Sequence, residues 1–254
     1  MAGTALTNST ENVFVGYYAG AALTTGDGTF IGGKAGEHTT TGGSLIAIGK
    51  DSLKANTTGS SNVAVGSSAL AATTTGGSNT ALGTNAGDSI TTGGQNVCIG
   101  TNAGSAFTTV SHCVYIGKDS GQNATGNGNT GVGLDSLRGA TGTSNTSLGR
   151  GAGEDLTSGS NNLILGAFAE ASSATVSNEI TLGDTSITKF RVPGVGLEAT
   201  DNGISTDGVF IENAQAVTAD YTITNGKNAG SFGPITINSG ITVTIGAGET
   251  WTVI

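Results

Sequence analysis

Length, composition and charge set the first limits on this chain. Its 254 residues include 45 glycines and only 2 prolines, and charged residues make up 11%, less than half of the usual quarter. The formal net charge is −9 and the nine basic residues form no cluster, which argues against binding to nucleic acid or to an anionic membrane surface. No stretch approaches the ~20 apolar residues of a membrane span, so we expect no membrane insertion.

The N-terminal segment, residues 1–11, precedes the first repeat of the chain. It starts with Met1-Ala-Gly-Thr-Ala-Leu, which has neither the basic region nor the apolar region of a signal peptide. We therefore expect synthesis in a cytoplasm without export through a signal peptide.

A short repeat dominates residues 12–190. Its clearest copy is Asn62-Val-Ala-Val-Gly66, and each copy ends in a glycine that we call the closing glycine. The eleven closing glycines are spaced by 16 or 17 residues, at positions 16, 32, 49, 66, 83, 100, 117, 133, 149, 166 and 183. A fixed short period of this kind predicts an all-β fold, a parallel β-roll or β-solenoid with one coil per repeat.

Positions in each coil are counted from the closing glycine. Position −1 is always aliphatic, position −3 is aliphatic or Thr, and position −2 varies from Gly131 to Phe30. This period-two alternation predicts a strand whose −3 and −1 side chains point into the coil, with −2 facing solvent or another chain. The Asn that opens many strands is expected to bond to neighbouring backbone or to stack on the Asn of the next coil.

The second half of each coil shows a size rule. Position +3 is always Ala or Ser, which indicates close backbone approach, and position +4 is Gly or Leu in most coils. Where +4 is Leu, as Leu70, position +7 is small or polar, and where +4 is Gly, a large apolar residue usually follows at +7, as Ile90. One interior space filled from either position fits a close-packed core. The coils with Gly36 and Thr39, and with Gly121 and Ala124, break the rule and are predicted to be looser.

The period fails after Gly183, and we place a domain boundary near residue 190. Residues 191–254 are predicted to form a small β domain of short strands, several alternating aliphatic with Thr, separated by Gly-containing turns. This domain is expected to cap the roll or to carry a recognition surface. Its aromatic residues Tyr221, Phe232 and Trp251 are the candidate receptor contacts, although such residues are more often part of a core.

No motif in the chain predicts catalysis, a cofactor or a metal site. Cys98, His112 and Cys113 lack zinc-site spacing, and the thiols are expected to be free. The G-x-G-x-x-G match at residues 126–131 lies between two β-coils, not before a helix. A glycan depolymerase needs two carboxylates that converge on a cleft, and the carboxylates available near the boundary have turn-like contexts: Glu198, Asp201, Asp207, Glu212 and Asp220.

The repeat pattern Asn-x-Val-Ala-Val-Gly-x-x-Ala-Gly, over residues 12 to about 187, resembles the head repeat of YadA-like trimeric autotransporter adhesins. The 17-residue spacing, the Thr-Thr-Gly-Gly turns and the ending from Gly233 to Ile254 look more like tail fibres of marine, cyanophage-type bacteriophages. The resemblance implies a left-handed roll, a homotrimer, and a place on a virion.

The resemblance implies a non-enzymatic fibre subunit with three parts. Residues 1–11 would attach to a tail, baseplate or adaptor protein, the roll would form the shaft, and residues 191–254 would contact a host-surface glycan or protein. The alternatives are a monomeric β-solenoid that binds a surface or ligand, a fragment of a bacterial adhesin, and a glycan depolymerase. Outward aromatics such as Phe14, Phe30 and Tyr115, with Tyr17 and Tyr18, are expected to pack between subunits or to stack on sugars.

Overall fold

The structure, a computed structural model, describes residues 1–7, 11–192, 197–200, 216–217, 220–222, 229–231 and 235–253. These residues fall into two compact units, Met1–Ser186 and Ile187–Ile254. The described residues contain no helix that is long and apolar enough to cross a membrane. The predicted all-β class and β-solenoid are confirmed.

The first unit is a β-solenoid of about ten turns built on one parallel sheet of eleven strands. Each strand pairs with the next one along the chain, so the sheet order is the sequence order. The strands are β1 Asn12–Val15, β2 Gly28–Ile31, β3 Leu45–Ile48, β4 Val63–Val65, β5 Thr80–Leu82, β6 Val97–Ile99, β7 Val114–Ile116, β8 Thr130–Val132, β9 Thr146–Leu148, β10 Leu163–Leu165 and β11 Ile180–Leu182.

The second unit consists of two-stranded sheets. One sheet is antiparallel, and the other three pair strands in parallel. The pairs are β12 Lys189–Val192 with β13 Leu197–Thr200, β14 Ala216–Val217 with β17 Thr236–Ile237, β15 Tyr221–Thr222 with β18 Val243–Thr244, and β16 Ala229–Ser231 with β19 Trp251–Val253. Two further features that the sequence predicts, a strand at Gly208-Val-Phe-Ile211 and a turn at Asn225-Gly226, lie outside the described residues.

Successive coils stack in register, closing glycine on closing glycine. A Cβ added to Gly66 would lie 2.3 Å from the carbonyl oxygen of Gly83, and the same contact recurs from coil to coil. Gly66 also has a φ of +139°, which side chains rarely adopt. The closing position therefore requires glycine for both space and backbone conformation.

The direction of the strand side chains was predicted wrongly. The −2 side chains point into the coil, where Phe30, Ala64 and Tyr115 are fully buried, and the −3 and −1 side chains face outward. The alternation was read correctly, but the rule that the apolar set faces inward fails here. A 16- or 17-residue coil encloses one thin column, which leaves room for only small side chains or for a single large one.

The interior of a coil is filled from three positions, −2, +4 and +7. In the coil closed by Gly32, the Phe30 ring occupies the space over Gly36, where a Cβ would meet it at 2.3 Å. In the coil closed by Gly117, the Tyr115 ring lies 2.4 Å from a Cβ built on Gly121. These two coils were predicted to be loose; instead, their −2 aromatic rings fill the space, and both are fully buried.

Buried asparagines at position −4 form a ladder from Asn62 to Asn162, as expected, with Cys113 in place of one asparagine. Asn79 donates from Nδ2 to the carbonyl oxygen of Gly93 (2.9 Å), and its Oδ1 accepts the backbone N–H of Asn96 (3.1 Å) and the Nδ2 of Asn96 (3.0 Å). Each amide thus links its own strand to the next turn and to the next coil. The ladder ends at Glu179, whose backbone N–H donates to Asn162 Oδ1.

Candidate functional site

An exposed aliphatic face runs along the roll and is its most prominent surface feature. It consists of the −3 and −1 side chains of β1 to β11, all of which are partly or largely exposed. The most exposed large apolar side chains among them are Ile180 at 68%, Val15 at 55%, Leu148 at 53%, Val13 at 49% and Leu82 at 48%. We call this surface the aliphatic face.

The sheet geometry makes the aliphatic face continuous. The parallel register places Val63 beside Thr80 and Val65 beside Leu82, so each row of side chains continues from coil to coil. Adjacent strands lie about 4.8 Å apart, so neighbouring side chains in a row are in contact range. Extended apolar patches of this kind mark association surfaces on soluble proteins.

The aromatic residues expected to face outward divide into two groups. Phe30 and Tyr115 are fully buried, and Phe14 packs against the core with its ring stacked on Phe30 at 5.6 Å between centroids. These three side chains point into the coils, so the expectation that they form a subunit contact or a sugar platform is wrong. Tyr17 and Tyr18 are exposed and meet edge to face at 4.4 Å.

The candidate receptor contacts lie in the second unit. Tyr221 is 56% exposed, and its backbone N–H donates to the carbonyl oxygen of Thr242 (3.0 Å). Trp251 is half-buried and pairs with Ala229 across the β16–β19 sheet. Phe232 lies outside the described residues. Tyr221 therefore presents an accessible ring, whereas Trp251 is partly packed.

The groups considered for chemistry remain dispersed. Both cysteines are free and buried, and burial raises the pKa of Cys98 to about 12. His38 lies 3.8 Å from the Glu37 carboxylate on the surface, and His112 occupies a turn with a φ of +64°. Among the described residues, no group of three or more His, Cys, Asp or Glu is placed to hold a metal ion.

The other motifs also receive structural explanations. Asp220 accepts the backbone N–H of Thr242 at 2.8 Å, and Asp201, Asp207 and Glu212 lie outside the described residues. In the G-x-G-x-x-G match, a Cβ on Gly126 would lie 1.8 Å from the carbonyl oxygen of Gly142 in the next coil. Strand β8 begins within this match, at Thr130. The glycine spacing therefore serves coil stacking.

Comparison of the chain with protein-family models, curated proteins and solved structures finds no match. The function is therefore inferred from the geometry of the roll and from the repeat pattern.

The aliphatic face was missed because its side chains were assigned to the core. A signal in the sequence could have located it. The two coils that break the size rule at +4 and +7 both carry a large aromatic residue at −2, Phe30 and Tyr115. If the size rule is extended from +4 and +7 to position −2, it predicts that the −2 side chain points into the coil. The −3 and −1 side chains must then point outward.

Proposed function

We propose that this chain is a structural fibre subunit that assembles laterally through its aliphatic face, as a homotrimer, to form a rigid shaft. The observation that carries the proposal is the partial or full exposure, along the whole sheet, of Val, Ile or Leu at position −1 and of Val, Ile, Leu or Thr at position −3. Burying such a face contributes about 25 cal/mol for each Å² of apolar surface removed from water. A roll with a one-column interior gains little stability from its own core, so lateral association adds to it.

The choice of three chains and of a virion comes from the repeat pattern and its resemblance to adhesin heads and phage tail fibres. In this proposal the protein is a tail appendage made in the host cytoplasm. The N-terminal end attaches to a tail, baseplate or adaptor protein. The second unit contacts a host-surface glycan or protein, with Tyr221 and Trp251 as the candidate contacts. Three rigidly linked copies would strengthen a weak individual contact.

The mass of the protein in solution tests lateral assembly. We expect light scattering at low concentration to give three times the 24.6 kDa chain mass. Leu148→Arg places a charge on the aliphatic face at a side chain that is 53% exposed in the single chain. This variant should fold but should lose the trimer, because the trimer would bury an unpaired charge.

A matched control is Thr92→Arg, which adds the same charge at an exposed turn outside the sheet. It should retain the trimeric mass. A monomeric mass for the unchanged protein, or an unaffected trimer in Leu148→Arg, would overturn lateral assembly through this face. Far-UV circular dichroism of each variant shows whether the roll is still folded.

Host attachment needs a separate experiment. Labelled trimer should bind to host cells, and Tyr221→Ala should lower that binding at least about 10-fold if the exposed ring contacts the receptor. Tyr17→Ala removes an exposed ring, 68% accessible, from the first unit and should leave binding unchanged. Equal losses in the two variants would contradict a receptor contact at Tyr221.

A further inference from the structure

The N-terminal residues form the second half of an additional coil. Residues 2–7, Ala-Gly-Thr-Ala-Leu-Thr, repeat residues 19–24, Ala-Gly-Ala-Ala-Leu-Thr, and both glycines have a φ of +56°. Gly3 donates its N–H to the carbonyl oxygen of Ala19 at 3.0 Å, as Gly20 does to Ala35 at 2.8 Å. Residues 1–7 thus lie in coil register over the second half of the first complete coil.

Among the described residues, no strand pairs with β1 on the side away from β2. Further along the roll, the closing glycine and the +2 residue donate their N–H groups to the preceding coil, as Gly32 does to Val15 and Lys34 does to Tyr17, both at 2.7 Å. The equivalent N–H groups of Gly16 and Tyr18 have no acceptor within the described part of the chain. An edge strand with free donors is a template for another strand.

At the other end of the roll, the last coil has the strand half that the first coil lacks. In the ten preceding coils the +3 N–H donates to the closing glycine's carbonyl oxygen, whereas the Ser186 N–H donates to Asp184 Oδ1 at 3.0 Å. The chain therefore leaves the coil path after Asp184. The carbonyl oxygens of Leu182 and Asp184 accept no hydrogen bond from any described residue. Strand β11 is thus an edge that presents acceptors.

We propose that copies of this chain associate head to tail, with β11 of one copy adding as a parallel strand to β1 of the next. The N–H groups of Gly16 and Tyr18 then donate to the carbonyls of Leu182 and Asp184, as they do between coils within one chain. Residues 179–184 supply the strand half of a composite coil, and residues 1–11 of the next copy supply the rest. Their combined length is 17 residues, the commonest repeat length in the chain.

The closing glycine of the last coil provides a specific test. At the first nine closing glycines, an added Cβ meets the next closing glycine's carbonyl oxygen, as at Gly149, where the distance is 2.4 Å, and at Gly166 it meets the Cα of Gly183 at 2.9 Å. For Gly183 the next closing glycine is Gly16 of the neighbouring copy. Gly183→Ala should therefore block stacking and weaken head-to-tail association at least about 10-fold.

The matched control is Gly248→Ala. Gly248 has a φ of +86°, close to the +82° of Gly183, and no heavy atom lies within 4 Å of an added Cβ. Sedimentation velocity of the full chain over a wide concentration range should show growth in steps of one whole particle. Gly248→Ala should grow in the same way, and Gly183→Ala should not.

A peptide competitor tests the same edge without altering the protein. A synthetic peptide of residues 176–186 should bind to the β1 edge and shorten the assemblies, whereas the same peptide with Ala at position 183 should not. Absence of concentration-dependent growth in the unchanged chain would overturn the proposal. Growth that persists undiminished in Gly183→Ala would overturn it as well. Neither result bears on lateral trimer formation, which is read from the mass at low concentration.

Discussion

Exchanging the large residue between two positions of one coil is the most direct test of how the interior is filled. Tyr115→Ala removes a fully buried ring, together with its contact to Phe107 at 5.8 Å between centroids, and should destabilise the roll by about 3–5 kcal/mol. Gly121→Leu alone places its Cβ 2.4 Å from the Tyr115 ring and should cost about 1–3 kcal/mol or more through overpacking.

The double variant should recover most of this loss. It reproduces the coil closed by Gly66, in which Ala64 stands at −2 and Leu70 at +4, both fully buried. Leu70 has a φ of +50°, so leucine tolerates at this position the backbone conformation that Gly121 adopts at +59°. We expect the double variant to lie within about 1.5 kcal/mol of the unchanged protein, since volume-conserving exchanges cost least.

Urea unfolding followed by far-UV circular dichroism measures these differences. Gly33→Ala serves as the control, because a Cβ at Gly33 has no heavy atom within 4 Å, and it should change the free energy of unfolding by less than about 0.5 kcal/mol. If the double variant is as unstable as the two single changes added together, the shared-space explanation fails.

Three further predictions follow from buried and hydrogen-bonded groups. Asn79→Ala should destabilise the roll by about 2–4 kcal/mol in urea unfolding, because it leaves the Gly93 carbonyl and the Asn96 N–H without their partner; a loss below about 0.5 kcal/mol would contradict the ladder. Because burial raises the pKa of Cys98 to about 12, iodoacetamide at pH 8 should alkylate it only after denaturation, as read by mass spectrometry. Hydrogen bonds from Ser172 lower the pKa of Glu179, so the last coil should lose amide-exchange protection as the pH falls below the normal glutamate range, and Glu179→Gln should remove this dependence.

The Glu179 prediction has a definite sign. A carboxyl whose pKa is lower in the folded state than in the unfolded state stabilises the fold when it is ionised. That stabilisation is present above the unfolded pKa and is lost as the pH falls through the folded pKa. Protection that rises on acidification would contradict the hydrogen-bonding role of this carboxylate.

Most of the fold could be predicted from the repeat period. Closing glycines such as Gly66 and Gly83 fixed the number of coils, their length and their register, because each lies against the next and tolerates no Cβ. The asparagine ladder and the close backbone approach at position +3 could also be predicted from the sequence. Each depends on a residue type that recurs at the same position of successive coils. These features are local or join neighbouring coils.

Alternation alone does not show which face of the strand points into the coil. Alternation separates Val63 and Val65 from Ala64, but it does not say which set is enclosed. The usual inference puts the larger apolar set inside, and it assumes an interior wide enough to hold it. Here the enclosed column admits Ala64 beside Leu70, so the aliphatic residues are left outside. The sizes of the residues at −2, +4 and +7 show which set is enclosed, because a large residue at one of these positions goes with small residues at the others. Total volume is conserved in this way only among residues that share one space.

The two proposed associations differ in symmetry, which allows one concentration series to separate them. A lateral contact around an axis closes and saturates, whereas a head-to-tail contact leaves a free edge at each end and continues to add copies. Mass at low concentration should therefore reach a plateau set by the aliphatic face, and growth above it should come from the β1 and β11 edges. Leu148→Arg should lower the plateau, and Gly183→Ala should keep the plateau and abolish the growth. A single variant that removes both would show that the rolls associate through one shared surface, which contradicts the separation of face and edge.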